Sequence, residues 1–586
     1  MLCRKVPEQS PLERYAASLR RKRRRAERRT SELSFPMYTV PFGTFMEITT
    51  IKPHEVLLAA GVLQIFAERM GRAMFVSHQW LAGTHPDPES EQLKILQSAL
   101  QHIMAGTSRV SIPIPTEVLQ GRVACPIARD LKANQVFVWY DYFSCPQDST
   151  SSDERARAID SIPWYITRSA YFLILCPPVA HHDTQEALNQ LSWAERGWCR
   201  MERLARELTP RSDGYMIVIE SAMHQTLLFA PNSMLHAPGL GRFTVQADRE
   251  KIGRTIVQLA WTKLLSYLEQ GDLNGYKFFL NTQMARCFRG MNVDEIEGLV
   301  PDFQTDLDPF TDPDGFTLAR FMHQNGFSTC VERDKAGLSP LCYAALNGST
   351  SLVRALLRGR ADPNDAGTRP LKDMHFPAKS AVISLATFFH NHEVLELLLS
   401  AAADVNARDG LGHVPLHAAA VQNNARGVQI LMEAGADPSS TAGPMAFTPF
   451  HAAAAFAATG FIKEMLLLNP AQSLKYSLHA ALMLYGGSSH TMTVLIQARA
   501  DVNEQYSAEG LPLWWLLLNV SAAFHRISPS RFTCLAYHHK GATPLMFSII
   551  SGYYDATYAL LAAGAWLDLR NSRQKTAADL ARSMFA

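Results

Sequence analysis

Long apolar runs are missing from this sequence of 586 residues. No segment reaches the roughly 18 uninterrupted apolar residues that a membrane-spanning helix needs. The best candidate, Leu511 to Phe524, is short and contains Pro512 and Asn519. The first 30 residues lack the apolar core of a secretory signal, and Glu8 and Glu13 argue against a mitochondrial transit peptide. We therefore expect an intracellular protein without a membrane anchor, in which Leu511 to Phe524 forms a buried helix.

Paired cysteines are also absent. The nine cysteines are scattered and form no Cys-x-x-Cys pair. An odd, scattered set in a chain long enough to bury several cores argues for reduced thiols rather than a disulfide framework. The composition is 47% hydrophobic and 19% charged, which excludes a wholly disordered chain. At about 100–200 residues per domain, the length predicts three or four domains.

Net charge is nearly absent, but the formal value of +2 conceals an uneven distribution. Residues 1–30 contain 11 Lys or Arg and 3 Asp or Glu, and the remaining residues contain 45 and 51, so a +8 tail precedes a −6 body. We expect residues 1–35 to form a basic disordered tail. The run Arg20–Arg29 can serve as a nuclear-import address, contact phosphates nonspecifically, or remain a solvated extension. We expect a cytoplasmic protein, with nuclear import through this run as an alternative, and no nucleic-acid partner beyond nonspecific contact by the tail.

An internal repeat dominates the second half of the chain. Ala-Asp-Val-Asn at 403–406 and Ala-Asp-Pro at 436–438 lie 33 residues apart, and similar elements stand at 361–364 and 500–503. Upstream of such elements come Ser-Pro-Leu at 339–341, Val-Pro-Leu-His at 414–417, Thr-Pro-Phe-His at 448–451 and Thr-Pro-Leu at 543–545. Ser or Thr caps a helix and Pro fits its first turn, so each element predicts a new helix.

This pattern resembles the ankyrin repeat, most fully at residues 410–438. The resemblance implies an α-solenoid over residues 331–586, with about six or seven repeats and insertions around 367–379 and 528–539. It also implies a protein partner on the concave surface. Gly435 and Gly564 suit left-handed turns at helix ends. We expect His417 and His451 to form hydrogen bonds within the repeats, and we expect no metal site.

The first half is typical of an α/β domain, which we place at residues 36–225. Short apolar runs predict strands at 74–76, 136–139, 171–175 and 216–219, and helical segments lie between them at 91–104, 154–166 and 196–207. This alternation favours a parallel sheet covered on both faces, in which polar residues past the strand ends line a ligand crevice. Residues 226–330 form a helical connector that we expect to pack against the first repeat.

Polar residues at these strand ends resemble two related families, the Toll/interleukin-1-receptor (TIR) domain and the fungal heterokaryon-incompatibility (HET) domain. The HET elements are Ser77 and Trp80, then Trp139, Asp141 and Gln147, then Arg196, Trp198 and Glu202. The TIR order is a Ser near the first strand, then Ala158-Ile159 and Ser169, then Trp198, Cys199 and Glu202. The resemblance implies cleavage of the nicotinamide–ribose bond of NAD, with Glu202 as the catalytic residue and Ser77, Trp80 and Asp141 as NAD-binding residues. NAD is then a substrate, and no resident cofactor is implied.

Two functions follow from these patterns. In the first, ankyrin repeats bind a protein partner and the TIR/HET-like domain signals or self-associates, while Glu202 pairs with its neighbours and Trp198 and Cys199 belong to the core. In the second, the chain is an NAD glycohydrolase that its ankyrin repeats regulate. The two hypotheses differ in whether Glu202, Ser77 and Trp80 converge on one site.

Overall fold

The computed structural model describes residues 9–23, 34–121, 125, 127–148, 151–209, 215–228, 237–371 and 376–585. The chain divides into two compact units. The α/β unit contains residues 15–112 and 123–299, and the helical unit contains residues 1–14, 113–122 and 300–586.

A mixed sheet forms the centre of the α/β unit. The strands are β1 Tyr38–Pro41, β2 Gln64–Ile65, β3 Arg72–His78, β4 Val136–Trp139, β5 Ser169–Leu175, β6 Val179–Ala180, β7 Ala187–Leu188, β8 Tyr215–Ile219 and β9 Gln225–Leu228. Seven of them pair in the order β2-β1-β4-β3-β5-β8-β9, and β6 pairs with β7 separately. Strands β4, β3, β5 and β8 are parallel, whereas β1 and β9 pair antiparallel at the two sides.

The four predicted strands are confirmed as β3, β4, β5 and β8, but the prediction of a purely parallel sheet is wrong at its edges. The missed strands are short: β1 has the sequence Tyr-Thr-Val-Pro and β9 the sequence Gln-Thr-Leu-Leu. Neither presents the continuous apolar run that marks a strand buried on both faces. Because β9 extends to Leu228, the sheet continues past the boundary expected at residue 225.

Helices cover both faces of this sheet. Before residue 300 the helices are α1 Pro11–Arg23, α2 Phe42–Glu47, α3 His54–Ala59, α4 Glu91–Ala105, α5 Ile114–Gln120, α6 Ile127–Ala133, α7 Asp141–Ser144, α8 Ser152–Arg168, α9 Gln190–Glu195, α10 Gly197–Leu208, α11 Ala247–Gln270 and α12 Leu273–Gln283. Of these, α5 belongs to the helical unit. The leucines of α4 pack on the face that carries Met74 and Val76. Helices α8 and α10 contact β3 from the side of Phe75, which stacks on Trp139 and Phe172.

Two expectations about segments outside the sheet are corrected. The tail is not wholly disordered, because residues 11–23 form α1, in which Leu12 and Ala16 lie one turn apart and are both buried. Residues 24–29 of the arginine run lie outside the described residues. In the expected connector, α11 packs against α10 and α8 rather than forming a separate segment.

The helical unit is a solenoid of paired helices. Its helices are α13 Pro313–Asn325, α14 Pro340–Asn347, α15 Thr350–Arg358, α16 Val382–Phe388, α17 His392–Ser400, α18 Pro415–Val421, α19 Ala425–Glu433, α20 Pro449–Ala455, α21 Thr459–Leu468, α22 Ser477–Met483, α23 Ser489–Gln497, α24 Pro512–Phe524, α25 Arg531–His538, α26 Pro544–Ser551, α27 Tyr554–Ala562 and α28 Ala577–Phe585. Inner helices α14, α16, α18, α20, α22, α26 and α28 stack in one row. Outer helices α15, α17, α19, α21, α23 and α27 form the second row.

The connection from α15 to α16, residues 359–381, is longer than the one from α17 to α18, residues 401–414, in agreement with the insertion predicted around 367–379. A second, helical insertion interrupts the solenoid. Helices α22 and α23 stack directly on α26 and α27, and the backbone N–H of Trp566 donates to the side chain of Asn503 across 63 residues. The insertion is therefore the helical hairpin α24–α25 with its connections, longer than the predicted segment at 528–539. Its helix α24 is not the buried helix expected at 511–524, because only Trp514 and Leu518 are buried. Within the described residues, no helix combines the length and apolarity needed to cross a membrane.

Candidate functional site

Two polar side chains singled out in the sequence, Ser77 and Asp141, lie with His78 at the carboxyl edge of the sheet. Strand β3 has β4 on one side and β5 on the other, so the chain crosses over β3 between its second and third parallel strands. In open α/β sheets such a switch point is where ligands bind, outside the carboxyl ends of the strands. Ser77 and His78 end β3, and Asp141 follows β4 by two residues.

Ser77 and Glu202 are in direct contact. The hydroxyl of Ser77 donates to the Glu202 carboxylate at 2.5 Å, and the indole Nε1 of Trp193 donates to the Ser77 oxygen at 3.0 Å. Strand alternation turns Ser77 to the face of Phe75, against which α10 packs, and Glu202 lies on α10. Ser77 and Trp193 are buried.

The carboxyl group of Glu202 is a weaker acid than usual because it is shielded from water. Loss of hydration raises the pKa of Glu202 to about 7, and the negative charge of Asp141 acts in the same direction. The hydrogen bond from Ser77 and the positive charges of His78 and Arg196 oppose this rise in pKa. A carboxyl group of this kind exchanges its proton near neutral pH, as acid–base catalysis requires.

A second cluster surrounds Asp141. Its carboxylate lies 2.9 Å from Nε2 of His78, accepts from Nε1 of Trp80 at 2.8 Å, and accepts from the backbone N–H of Tyr142 at 2.6 Å. The ring of His78 stacks on Tyr140 with centroids 4.1 Å apart. Burial alone would lower the pKa of His78, but Asp141 raises it; burial alone would raise the pKa of Asp141, but His78 lowers it.

The structure thus joins the four predicted site residues in two pairs, Ser77 with Glu202 and Trp80 with Asp141. Their predicted roles stay predictions. The sequence interpretation did not include Trp193 or His78 in the site, although His78 adjoins Ser77; Trp193 lies on α9, away from any recognised motif. Trp198, another residue of the resemblance, donates its Nε1 to Asp248 at 3.0 Å, whereas the buried Cys199 lies within hydrogen-bonding reach of Ser77. Burial raises the pKa of the Cys199 thiol well above its usual value, which disfavours a thiolate nucleophile.

Two arginines near Glu202 on α10, Arg200 and Arg203, have partners other than Glu202. Arg200 donates its Nε to the carbonyl of Ala194 at 2.7 Å, and Arg203 pairs with Glu207. Glu202 instead accepts a hydrogen bond from Ser77. Among the described residues, no group of three or more His, Cys, Asp or Glu side chains is placed to hold a metal ion.

Where the Ala-Asp-x-Asn element is complete, it links one repeat to the next. The Asp closes its own turn: Asp404 accepts from the backbone N–H of Asn406 at 2.9 Å. The Asn reaches forward: the Asn406 side chain accepts from the backbone N–H of Asp437 at 2.9 Å and donates to the carbonyl of Gly435 at 3.2 Å. Gly435 has φ of 88°, which favours glycine, as predicted. The sequence element that recurs after 33 residues therefore corresponds to a ladder of hydrogen bonds between repeats.

His417 and His451 bind backbone atoms, as predicted. Nδ1 of His417 accepts from the backbone N–H of Val414, and its Nε2 donates to the carbonyl of Phe447 at 2.9 Å. His451 bridges Thr448 and the carbonyl of Lys475 in the same way. Both rings thereby connect the start of an inner helix to the following loop.

A comparison with protein-family models matches two segments of the helical unit. The family model described as "Ankyrin repeat" matches residues 336–368 and 411–442. These segments are ankyrin repeats. The match at 411–442 falls on the region predicted to fit the pattern most fully, and the helical unit is an ankyrin-repeat solenoid. Ankyrin repeats imply protein–protein interaction.

Two solved structures are similar to part of this chain. The human ASB11 ankyrin repeat domain is 19% identical, with a TM-score of 0.31, and the alignment covers 42% of this chain and 92% of that chain. The ankyrin repeat domain of Bcl-3, a member of the IkappaB protein family, is 18% identical with the same TM-score, covering 43% of this chain and 96% of that one. A search of curated proteins returned no match.

The ankyrin repeats also present ordered loops, here called fingers, between each outer helix and the next inner helix. In the finger before α18, Leu411 is 54% exposed. Its backbone N–H donates to Asp409 at 2.8 Å, and its carbonyl accepts from Gly443 of the next finger at 2.9 Å. An apolar side chain is thus held in solvent on a fixed backbone.

Proposed function

We propose that this protein is a protein-interaction scaffold. Its ankyrin repeats bind a partner protein along the concave surface formed by inner helices and fingers, and its α/β unit, which resembles TIR and HET domains, signals or self-associates. The fixed, exposed Leu411 supports the binding surface, because a preorganised apolar group loses little conformational entropy on binding.

Affinity capture with the full chain tests this surface. Leu411→Asp places a charge in the finger, and Leu467→Asp places one on the outer helix α21, where Leu467 is 75% exposed. We expect a partner that the wild type and Leu467→Asp retain and that Leu411→Asp loses. Equal capture by all three proteins contradicts the concave surface, and the absence of any reproducible partner contradicts the scaffold.

A second candidate function is cleavage of NAD, the substrate that the TIR-like resemblance implies. The observation that favours it is the Ser77–Glu202 pair at the switch point of the sheet. Water would replace nicotinamide on the ribose, giving nicotinamide, ADP-ribose and a proton. Ionised Glu202 would stabilise the oxocarbenium-like ribose as the nicotinamide leaves, and Ser77, Trp80 and Asp141 would bind the substrate.

Nicotinamide release by the full chain distinguishes the two functions. We expect turnover in the wild type and in Glu195→Gln, a change at a carboxylate that is 55% exposed on α9, and loss of turnover in Glu202→Gln. No release even at high, clustered protein concentration rules out the enzyme. Chemical crosslinks between copies within residues 37–299 would instead support self-association by the α/β unit.

The chain is placed in the cytoplasm as part of this proposal, with Arg20–Arg29 as an address for nuclear import. A fluorescent full-length fusion whose arginines in this run are changed to glutamine should lose any nuclear fraction that the wild type has. An unchanged distribution would leave the run without a role in import.

A further inference from the structure

Helix α24 exposes an unusually apolar surface. Leu513, Trp515, Leu516, Leu517, Val520, Phe524 and, in the turn after the helix, Ile527 are each between 39% and 78% exposed. At about 150–250 Å² for each large side chain, these exposed fractions amount to roughly 700 Å². Exposed apolar patches larger than a few hundred Å² mark interaction sites on monomeric proteins.

Part of this surface has the spacing of a helix-pairing seam. Leu513, Leu517, Val520, Phe524 and Ile527 follow one another at intervals of four, three, four and three residues. This is the alternation that brings apolar side chains to one side of a helix at a mean interval of 3.5 residues, as in coiled coils. The seam of α24 is therefore built to pack along another helix.

Packing within the chain uses a different side of α24. Trp514 and Leu518 are buried where the helix packs against α25, and Nε1 of Trp514 donates to the hydroxyl of Tyr506 at 2.9 Å. At the base of the hairpin, the Tyr506 backbone pairs with Ala542 and Gly541. The helix is thus anchored on one side while the seam on the adjacent side remains exposed.

We propose that the seam of α24 packs against the same seam of a second copy of this chain, which makes the protein a homodimer. The segment 510–525 contains no charged residue, so its partner must offer an uncharged apolar helix. A second copy offers one by symmetry, because a two-fold axis places the same side chains on both sides. The whole exposed apolar surface of α24, of which the seam is the larger part and Trp515 and Leu516 the remainder, has an area close to the roughly 800 Å² per partner of a stable interface.

A lipid surface is the competing occupant. Helices that lie on membranes combine an apolar face with a polar face rich in Lys and Arg, which anionic headgroups attract. Helix α24 has neither residue on any face. The composition of the helix therefore favours protein pairing, and vesicle binding is an outcome of the test.

Two adjacent positions give a matched test in the full chain. Val520 lies in the seam, whereas Asn519 lies about 130° around the helix from its middle. We expect Val520→Glu to raise the dimer dissociation constant at least roughly 100-fold, because it buries an unpaired charge, and Asn519→Glu to leave it within about threefold. Sedimentation equilibrium measures both, and circular dichroism checks that the variants fold.

Three outcomes overturn the proposal. The first is a wild type that stays monomeric up to high micromolar concentration. The second is a wild type whose self-association Val520→Glu leaves unchanged. The third is a wild type that is monomeric in solution but floats with anionic vesicles, with Val520→Glu abolishing this flotation. The result does not depend on the proposed function, because the Leu411→Asp and nicotinamide-release experiments test other surfaces.

Discussion

The hydroxyl of Ser77 lies 2.5 Å from the carboxylate of Glu202, although 125 positions separate the two residues in the chain. The contact joins the end of the central strand β3 to helix α10, with the indole of Trp193 as a third member. Because Ser77 and Trp193 are buried and Glu202 is partly shielded from water, the hydrogen bond from Ser77 affects how easily Glu202 ionises.

Removal of the Ser77 hydroxyl should therefore raise the pKa of Glu202 above about 7, since that hydroxyl stabilises the ionised carboxylate. Carboxyl-carbon NMR of Ser77→Ala in protein labelled at glutamate measures the shift. Ser192→Ala, which removes a hydroxyl that accepts from Gln79 rather than contacting Glu202, is the control. An unchanged or lower pKa in Ser77→Ala would show that the hydroxyl does not stabilise the charge.

Glu202→Gln should change how stability depends on pH. The folded-state pKa of Glu202, about 7, exceeds its ordinary value of 4.5, so the folded wild type binds the proton more tightly. Its free energy of unfolding should fall as pH rises from about 4.5 to 7, and the glutamine variant lacks this term. Across that range the variant should gain about 2 kcal/mol relative to wild type. Urea unfolding at several pH values measures the gain, and a flat difference, like that expected for Glu195→Gln, refutes it.

Asp141→Asn should lower the pKa of His78. Burial opposes the charge on this imidazole, and Asp141 outweighs that effect and raises the pKa above 6.5. The raised pKa of His78 should stabilise the fold fully below pH 6.5, and this stabilisation should disappear as pH rises through the folded pKa of His78. The lowered pKa of Asp141 sets the acid limit, because the stabilisation also disappears as pH falls through that pKa and Asp141 is protonated. Imidazole NMR titration measures the shift. Asp160→Asn, at an exposed position, should leave His78 unchanged.

The solenoid could be predicted from sequence because its bonds are local and repeated. The Asp of the element closes a turn in its own repeat, and the Asn forms hydrogen bonds with the next repeat. The recurrence of this one element therefore indicates a row of stacked repeats. The central strands were predictable from their apolar runs, and residues following those runs meet because parallel strands end at one edge. Helix α24 was misassigned because apolar composition alone does not reveal whether a helix is covered.

Other features had no such local signal. The antiparallel strands β1 and β9, which lie outside the parallel strands, are short and only partly apolar, so their sequences resemble those of loops. Trp193 joins the site from α9 through a contact across 116 positions. Such a contact depends on how α9 packs beside β3, which no motif around Trp193 encodes.

Asn406→Ala should destabilise the solenoid by about 1–2 kcal/mol, because it removes two hydrogen bonds between consecutive repeats. Asn519→Ala removes one bond within the surface helix α24 and should cost under about 0.5 kcal/mol. Urea unfolding monitored by circular dichroism compares the two. Equal effects would indicate that the recurring asparagine does not couple the repeats.

Acid should weaken the ankyrin repeats through their buried histidines. Burial lowers the pKa of His417 to about 4, although its bond to the Phe447 carbonyl opposes the shift, and burial lowers the pKa of His479 to about 4 as well. The unfolded chain therefore binds protons that the folded repeats exclude, and stability should fall as pH decreases from about 6.5 to 4. His417→Gln should lose about 1–2 kcal/mol less than wild type over this range, whereas His490→Gln, at an exposed position, should follow the wild type. Parallel curves for wild type and His417→Gln would mean that His417 is already protonated in the folded repeat, and hence that its Nδ1 does not accept from Val414.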